Sequence, residues 1–298
     1  QLLVRVRAAA INPLDWHKLR GTPYLMRLAE GIGAPKDPQL GIDFAGVVEA
    51  VGSQVTKFKP GDEIFGGRDG ALAEYVLVRE AGSVARKPAD VGFEQAAGTY
   101  VAAITALEAL RDRAGIKPGD KVLINGASGG VGTFAVQIAK WLGAEVTGVC
   151  STRNVELVRS LGADHVIDYT QTDFIASAER FDVIMDNVVN RRLLEIRRIL
   201  KPQGKYLVIG GGGPREDPWF GAFRMPIKAA VLSWFVDQDM AFFISGANTE
   251  DVATMARLMA DGKVRTVVDR RYPLAEIGAA MRYLETGRAR GKVVLTVP

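Results

Sequence analysis

The chain has 298 residues, of which 48% are hydrophobic and 24% are charged, and its formal net charge is +4 at pH 7. This length permits a large core and is close to the size at which one core divides into two domains, while the dispersed lysines and arginines argue against nucleic-acid binding. A single cysteine excludes an internal disulfide, and no apolar run reaches the roughly 20 residues that span a bilayer, so we expect no membrane contact and a cytoplasmic location.

The first ninety residues are rich in strand and turn patterns. Alternating or β-branched runs predict strands over Leu2–Ala10, Asp43–Val51 and Ala73–Val78, and a Lys-Pro-Gly-Asp turn lies at 59–62. Several short strands with turns between them predict a small barrel-like β domain.

After Phe93 the pattern changes to alternating helices and strands. Helical periodicity covers Gln95–Arg113. Strands are then predicted over 121–124, 145–149, 165–167, 183–185 and 206–209, with helices over 131–142, 154–160 and 191–200 between them. This alternation predicts a parallel, doubly wound sheet. Asp217–Phe243 is rich in Trp, Phe and Met, and is either a helical core segment or a surface for substrate or a dimer partner. Helices over 249–260 and 274–284 precede a last strand at 293–297.

The strongest motif is a glycine-rich turn between the strand at 121–124 and the helix after it. It contains the candidate phosphate-binding residues Gly126, Ser128, Gly129, Gly130, Val131 and Gly132. Glycine lets the backbone approach a pyrophosphate closely, and the helix N-terminus adds amide donors and positive potential. The turn therefore predicts a dinucleotide site, and the alternative is an ordinary tight turn between strand and helix.

The residues after the next strand indicate which dinucleotide binds. NAD sites usually carry an acidic residue there, whereas this chain has Ser151, Thr152 and Arg153. Two hydroxyls and a guanidinium can bind a 2′-phosphate through charge-assisted hydrogen bonds, which favours NADP(H). Alternatively, Ser151 or Asn154 caps the next helix, and both roles can coexist.

Several further motifs give the chain a family resemblance. They include Asn12-Pro13 with Asp15, the segment 41–52, the turn at 59–62, the glycine turn, Leu161–Tyr169 and Gly291–Leu295. In these segments the chain resembles the zinc-independent quinone oxidoreductase branch of the medium-chain dehydrogenase/reductase superfamily. The resemblance implies an α/β enzyme with a GroES-like β-barrel substrate domain at 1–95 and 265–298, and a Rossmann doubly wound domain at 96–264. It also implies a possible homodimer, and an opening strand that is missing before Gln1.

The resemblance assigns roles to single residues, each with a plainer alternative. Asn12 orients a substrate carbonyl or is a turn residue before Pro13, and Tyr24 donates a proton or packs at the surface. Thr105 touches the nicotinamide side or bonds to its own helix, and Tyr169 packs near the adenosine phosphate. Lys292 faces the cofactor or is solvated. From the strand pattern itself, the predicted crevice is lined by Asn187, Gly210 and Gly211.

Zinc-dependent members of the superfamily carry a cysteine near the position of Asn12 and a Gly-His-Glu motif where this chain has Gly41-Ile42-Asp43. With one cysteine and two histidines the chain lacks suitable ligands, so no catalytic zinc is expected. We expect a quinone or an α,β-unsaturated carbonyl substrate, because hydride addition to either gives a stabilised product anion. The alternatives are an enoyl-thioester reductase and an NADPH-binding structural or regulatory protein with little turnover.

Overall fold

The computed structural model describes residues 1–210, 219, 221, 224–233, 236–242, 245–246 and 248–298. The chain folds into two compact units, one formed by Gln1–Ile104 with Gly246–Pro298 and the other by Thr105–Ser245. The first unit thus extends to residue 104, beyond the predicted boundary at residue 95. The chain re-enters the first unit at residue 246, before the predicted boundary at residue 265. Hydrogen bonds within the first unit account for both differences, because Val101 N donates to Asp43 Oδ1 and Thr249 Oγ1 donates to Gly82 O.

The first unit contains a mostly antiparallel sheet of seven strands. Its strands are β1 (Leu2–Ile11), β2 (Asp43–Val51), β3 (Glu63–Gly67), β4 (Tyr75–Val78), β5 (Val84–Arg86), β12 (Val268–Pro273) and β13 (Lys292–Thr296). They lie in the order β12-β13-β1-β2-β3-β5, and β4 pairs with β1. The helices of this unit are α1 (Pro13–Arg20), α2 (Arg27–Glu30), α3 (Phe93–Ala97), α9 (Thr249–Ala260) and α10 (Ile277–Glu285), and α4 (Tyr100–Leu107) spans the division.

Strand β1 is paired along both edges. One edge pairs with β2, and the other is shared between β4, opposite Leu2–Arg5, and β13, opposite Ala8–Ile11. Ala8 to Ile11 are all buried, which is why the alternation of the strand disappears at its end. This end of β1 positions the residues that follow it.

The second unit is the predicted parallel, doubly wound sheet. Its strands are β6 (Lys121–Asn125), β7 (Glu145–Cys150), β8 (His165–Asp168), β9 (Phe181–Asp186), β10 (Leu200–Val208) and β11 (Asp239–Phe242). The order β8-β7-β6-β9-β10-β11, with parallel pairing throughout, places a topological switch point between β6 and β9. Ligands of such sheets bind at the carboxyl ends of the strands at this point.

The helices of the second unit are α5 (Gly130–Trp141), α6 (Val155–Ser160), α7 (Leu193–Arg198) and α8 (Arg224–Ser233). A π-helix over Glu108–Ala114 continues α4. Within Asp217–Phe243, Ala229 and Met240 join the core, whereas Trp219 and Ile227 are exposed, and the rest of that prediction lies partly outside the described residues. Within the described ranges, no helix combines the length and the apolar composition needed to span a bilayer.

Candidate functional site

The glycine turn joins β6 to α5 at the carboxyl edge of the parallel sheet. Gly126 N and Ala127 N both donate to Val149 O, at 3.2 and 3.0 Å, and so tie the turn to the end of β7. Gly126 has φ +77°, a value that favours glycine. The first N–H groups of α5 have no acceptor one turn earlier in the helix, so they are directed toward any ligand at this edge.

Gly132 is required by packing between the helix and the turn. A Cβ atom there would lie 2.1 Å from Gly126 O and 2.9 Å from Ala127 Cα. At Gly129, by contrast, the nearest atom would lie 3.4 Å away. The two glycines therefore have different functions, and only Gly132 is excluded from carrying a side chain by its neighbours.

Asn154 connects the glycine turn to the residues after β7. Its Nδ2 donates to Ser128 Oγ at 2.9 Å and to Ser151 Oγ at 3.3 Å, while its Oδ1 is buried without a partner. Neither Ser151 nor Asn154 uses its side chain to cap a helix, so the capping alternative is wrong in this structure. Because both serine oxygens accept from the amide, their protons can point toward a ligand.

Asp168 is an acidic residue at this edge that the sequence argument overlooked. It pairs with Cys150 across β7 and β8, and Thr152 Oγ1 donates to Asp168 Oδ2 at 2.6 Å. This hydrogen bond is the largest of the causes that hold the pKa of Asp168 below its usual value. The Thr152 proton is therefore committed to Asp168. Arg153 and Tyr169 are exposed beside it, and Tyr169 N donates to Cys150 O.

At the switch point, a fully buried carboxylate organises the loop after β9. Asp186 Oδ1 accepts hydrogen bonds from Asn125 Nδ2 and Val189 N, both at 2.8 Å, and Oδ2 accepts from Tyr206 Oη at 2.9 Å. Burial, followed by the charge of Asp186, raises the pKa of Tyr206, so its hydroxyl stays protonated. Val189 has φ +59°, which is unusual for a β-branched residue and is maintained by these bonds.

Asn187 presents an acceptor at the same edge. Its backbone N and its Nδ2 both donate to Asn125 O, at 3.2 and 2.9 Å, and its Oδ1 is buried without a partner. A Cβ atom at Gly210 would lie 2.1 Å from Asn187 O, so glycine permits this close approach. Gly211 lies outside the described residues. Thr105 is half-buried on α4, and its place beside the nicotinamide stays a prediction.

In the first unit, four side chains form a buried polar cluster of Asn12, Asp15, Asp43 and Lys292. The pairing of Ala10 with Asp43 and of Ile11 with Val293 brings the ends of three strands together. Lys292 Nζ donates to Asn12 Oδ1 at 2.5 Å and to Asp43 Oδ2 at 3.1 Å. Lys292 is 3% exposed, so the solvated alternative for it is wrong. Asn12 Nδ2 is buried without a partner.

Asp15 locks the start of α1 to the loop before β2. Its Oδ2 accepts from Asn12 N at 2.7 Å, and its Oδ1 accepts from Gly41 N at 3.0 Å. Burial raises the pKa of Asp15 to about 6, even though these two hydrogen bonds lower it. The carboxyl group thus positions Asn12 through the backbone.

Tyr24 contacts Arg27, whose guanidinium carbon lies 4.5 Å from the ring centre, and proton donation by Tyr24 stays a prediction. Among the residues that the structure describes, no three His, Cys, Asp or Glu side chains are grouped so that they could hold a metal ion.

Two family models match the chain. Residues 1–89 match a model described as an alcohol dehydrogenase GroES-like domain, and residues 161–295 match one described as a zinc-binding dehydrogenase.

Several relatives align with almost the whole chain. A trans-enoyl reductase of Aspergillus terreus is 38% identical, and the match covers 100% of this chain and 86% of the relative. The chloroplast envelope quinone oxidoreductase homolog of Arabidopsis thaliana is 34% identical, with coverage of 99% and 89%. A 2-methylene-furan-3-one reductase of Solanum lycopersicum is also 34% identical, with coverage of 99% and 71%.

Solved structures show the same fold. The quinone oxidoreductase from Coxiella burnetii matches with a TM-score of 0.84 and 29% identity, over 100% of this chain and 90% of that one. The CurK enoyl reductase matches with a TM-score of 0.85 and 28% identity, over 100% and 91%.

The packing at Gly132 generates the first prediction. Gly132→Ala should lower the free energy of unfolding by about 1–3 kcal/mol and weaken binding of the nicotinamide dinucleotide at least about tenfold, because the turn must open to admit the methyl group. Thermal unfolding and fluorescence titration would measure both effects. Gly129→Ala is the matched control and should unfold close to the wild-type temperature. Wild-type stability and affinity in Gly132→Ala would show that the packing argument is mistaken.

The raised pKa of Asp15 predicts that the stability of the protein depends on pH. Its pKa is about 6 when folded and 3.8 when unfolded, so protonation favours the folded state. This stabilisation is complete below about pH 4 and is lost as the pH rises through 6. Between pH 4 and 7, wild type should lose up to about 3 kcal/mol relative to Asp15→Asn, as measured by urea unfolding. Parallel stability curves for the two proteins would contradict the raised pKa.

Proposed function

The chain belongs to the medium-chain dehydrogenase/reductase superfamily, and from that premise we propose that it is a zinc-free, NADPH-dependent reductase of quinones or α,β-unsaturated carbonyl compounds. One observation carries the proposal. Among the described residues, the buried side-chain atoms without a partner are Asn12 Nδ2, Asn154 Oδ1 and Asn187 Oδ1. An unsatisfied buried polar atom costs about 1–3 kcal/mol, and all three lie on elements where ligand groups are expected.

The residues of the parallel-sheet unit fit a dinucleotide. The amides at the start of α5 and the Ser128 hydroxyl would bind the pyrophosphate, and Asn187 Oδ1 would accept a hydrogen bond from the nicotinamide end. Tyr169, which is 53% exposed, would pack on the adenosine side, and Thr105 would face the nicotinamide. When bound, NADPH supplies a hydride to the acceptor.

The preference for NADPH depends on the charges after β7. The Ser151 proton is available because its oxygen accepts from Asn154, and Arg153 is exposed beside it. Asp168 carries the opposite charge, but its oxygens accept from Thr152, Thr170 and Gln171. We propose that Ser151 and Arg153 bind the 2′-phosphate. Thr152 contributes indirectly, because its hydroxyl donates to Asp168 and holds that carboxylate in place.

Zinc does not fit the cluster of the first unit. Asn12 Oδ1 and Asp43 Oδ2, the oxygens that would have to face a metal, both accept from the Lys292 ammonium. A divalent cation would have to displace this positive charge, and an amide oxygen is a weak zinc ligand. We therefore propose that Asn12 Nδ2 binds the substrate carbonyl oxygen and that no metal takes part.

Electron-poor acceptors suit this arrangement. Hydride addition to a quinone or to the β-carbon of an enone moves an electron pair onto a carbonyl oxygen, where an N–H donor stabilises it. An enoyl thioester accepts hydride in the same way, and the 38% identity to a trans-enoyl reductase favours it as the second candidate. The cytoplasmic location and the homodimer stay predictions.

The function is tested by following NADPH oxidation with benzoquinones, simple enones and an enoyl thioester, after dialysis against a chelator. We expect acceptor-dependent oxidation that survives the chelator, with the fastest acceptor identifying the substrate class. Saturable NADPH binding without oxidation by any acceptor would favour the regulatory-protein alternative and contradict the proposal.

The cofactor preference is tested at Arg153. Arg153→Ala should raise the Kd for NADPH by about 10- to 100-fold, the loss expected for one hydrogen-bonded charge pair, while the Kd for NADH should change little. Arg159→Ala, which removes an exposed arginine paired with Glu156 on the next helix, is the charge-matched control. Equal weakening of both dinucleotides in Arg153→Ala would contradict the phosphate role.

A further inference from the structure

We infer that Lys292 is a positioning residue for Asn12, which it orients and polarises so that the amide N–H group faces the substrate oxygen. The inference rests on the proposed function, because it assumes that Asn12 binds the carbonyl. It goes beyond that function because it assigns to a lysine on another strand the orientation of the Asn12 amide and part of the strength of the hydrogen bond that this amide donates.

The direction follows from the chemistry of the two groups. An ammonium has three donors and no acceptor, so only the oxygen end of an amide can face it. Asn12 Oδ1 lies 2.5 Å from Lys292 Nζ, and both residues are at least 96% buried. A reversed amide would place two N–H groups against a buried positive charge. Nδ2 is therefore the end that is left for a ligand, and it has no partner in the protein.

Lys292 is itself held in place from several sides. Its Nζ donates to Asp43 Oδ2 at 3.1 Å, and Asp43 Oδ1 accepts from Val101 N at 3.0 Å. Its backbone N donates to Val267 O at 2.8 Å. The stem passes close to Gly98, where a Cβ atom would lie 3.4 Å from Lys292 Cβ and Cγ. With both ends fixed, the ammonium has little freedom to leave Asn12.

The charge of Lys292 matters most as the substrate oxygen becomes negative. In a buried chain of hydrogen bonds, a positive charge behind an amide polarises its N–H groups. Hydride addition increases the negative charge on the oxygen, so the benefit is larger in the transition state than in the ground state. Asn12 contributes a hydrogen bond and transfers no proton. Loss of Lys292 should thus lower kcat more than it changes KM.

A double-mutant cycle over Asn12 and Lys292 tests the inference. Asn12→Ala and Lys292→Met should each lower kcat by about 10- to 100-fold with the best acceptor, and the double variant should be no slower than Asn12→Ala within about threefold. Lys292→Arg should restore part of kcat, because a guanidinium also only donates. The Kd for NADPH, measured by titration, should change little in all of these variants.

Controls separate positioning from folding. Lys292→Met leaves the Asp43 carboxylate buried without its cation, so the combination Lys292→Met with Asp43→Asn provides a neutral version of the same site. Lys87→Met removes another lysine whose side chain is only 4% exposed and whose Nζ lies 2.9 Å from Glu63 Oε2, and it should lower the unfolding temperature without lowering kcat.

The outcomes are distinct. Multiplicative losses in the double variant, or an unchanged kcat in both Lys292→Met and the neutral combination, would overturn the positioning role while the reductase function stands. If the wild-type protein fails to oxidise NADPH with any of the tested acceptors, the proposed function is overturned, and this inference with it.

Discussion

A polar atom buried at the end of a strand must find a partner, and this constraint shapes both candidate sites. Side chains at strand ends, such as Asp186 at the end of β9 and Asp43 at the start of β2, are buried away from water, so their oxygens bind donors within the protein. Asp186 accepts from a strand-end amide, from loop backbone and from Tyr206. Asp43 accepts from Lys292 and from the backbone of α4. Among the described residues, three asparagine atoms escape this rule, and these are the places that we propose for ligand groups.

The same constraint explains why asparagine recurs in these positions. An amide can donate with one end and accept with the other, so it can satisfy the protein on one side and a ligand on the other. Asn154 and Asn187 use Nδ2 within the protein and present oxygen, whereas Asn12 uses its oxygen and presents Nδ2. The direction in each case is decided by the neighbour, which is a hydroxyl, a carbonyl or an ammonium.

The sequence predicted the regular elements well because they carry strong local periodicity. β2 and α9 have the predicted bounds, and the segment from β6 to β7 differs by about one residue at each end. The helix predicted over Gln95–Arg113 is divided at Gly98, and the short strands β3, β5 and β12 had no clear alternation to reveal them. α1 was missed because Asn12-Pro13 is equally typical of a turn, although proline is also favoured in the first turn of a helix.

The candidate sites were less visible because their contacts join residues that are distant in sequence. The burial of Lys292 depends on the register of β1 with β2 and β13, which no local pattern encodes. Asp168 stands beside Thr152 only because β8 pairs with β7. Asn154 could be recognised as polar and well placed, but a cap and a ligand-orienting amide have the same sequence signature.

On the proposed mechanism, the identity of the buried cation limits the range of substrates. A divalent metal polarises a carbonyl by direct contact, whereas Lys292 carries one charge and acts through an intervening amide. We expect the stabilisation from one such hydrogen bond to be sufficient for hydride transfer where the product itself spreads the negative charge over several atoms, as an enolate or a hydroquinone anion does. We expect it to be insufficient for an isolated ketone, because the alkoxide product keeps the charge on one oxygen. On this mechanism, an amide backed by an ammonium group in place of a metal would account for the proposed preference for conjugated acceptors, without any contact to their conjugated part.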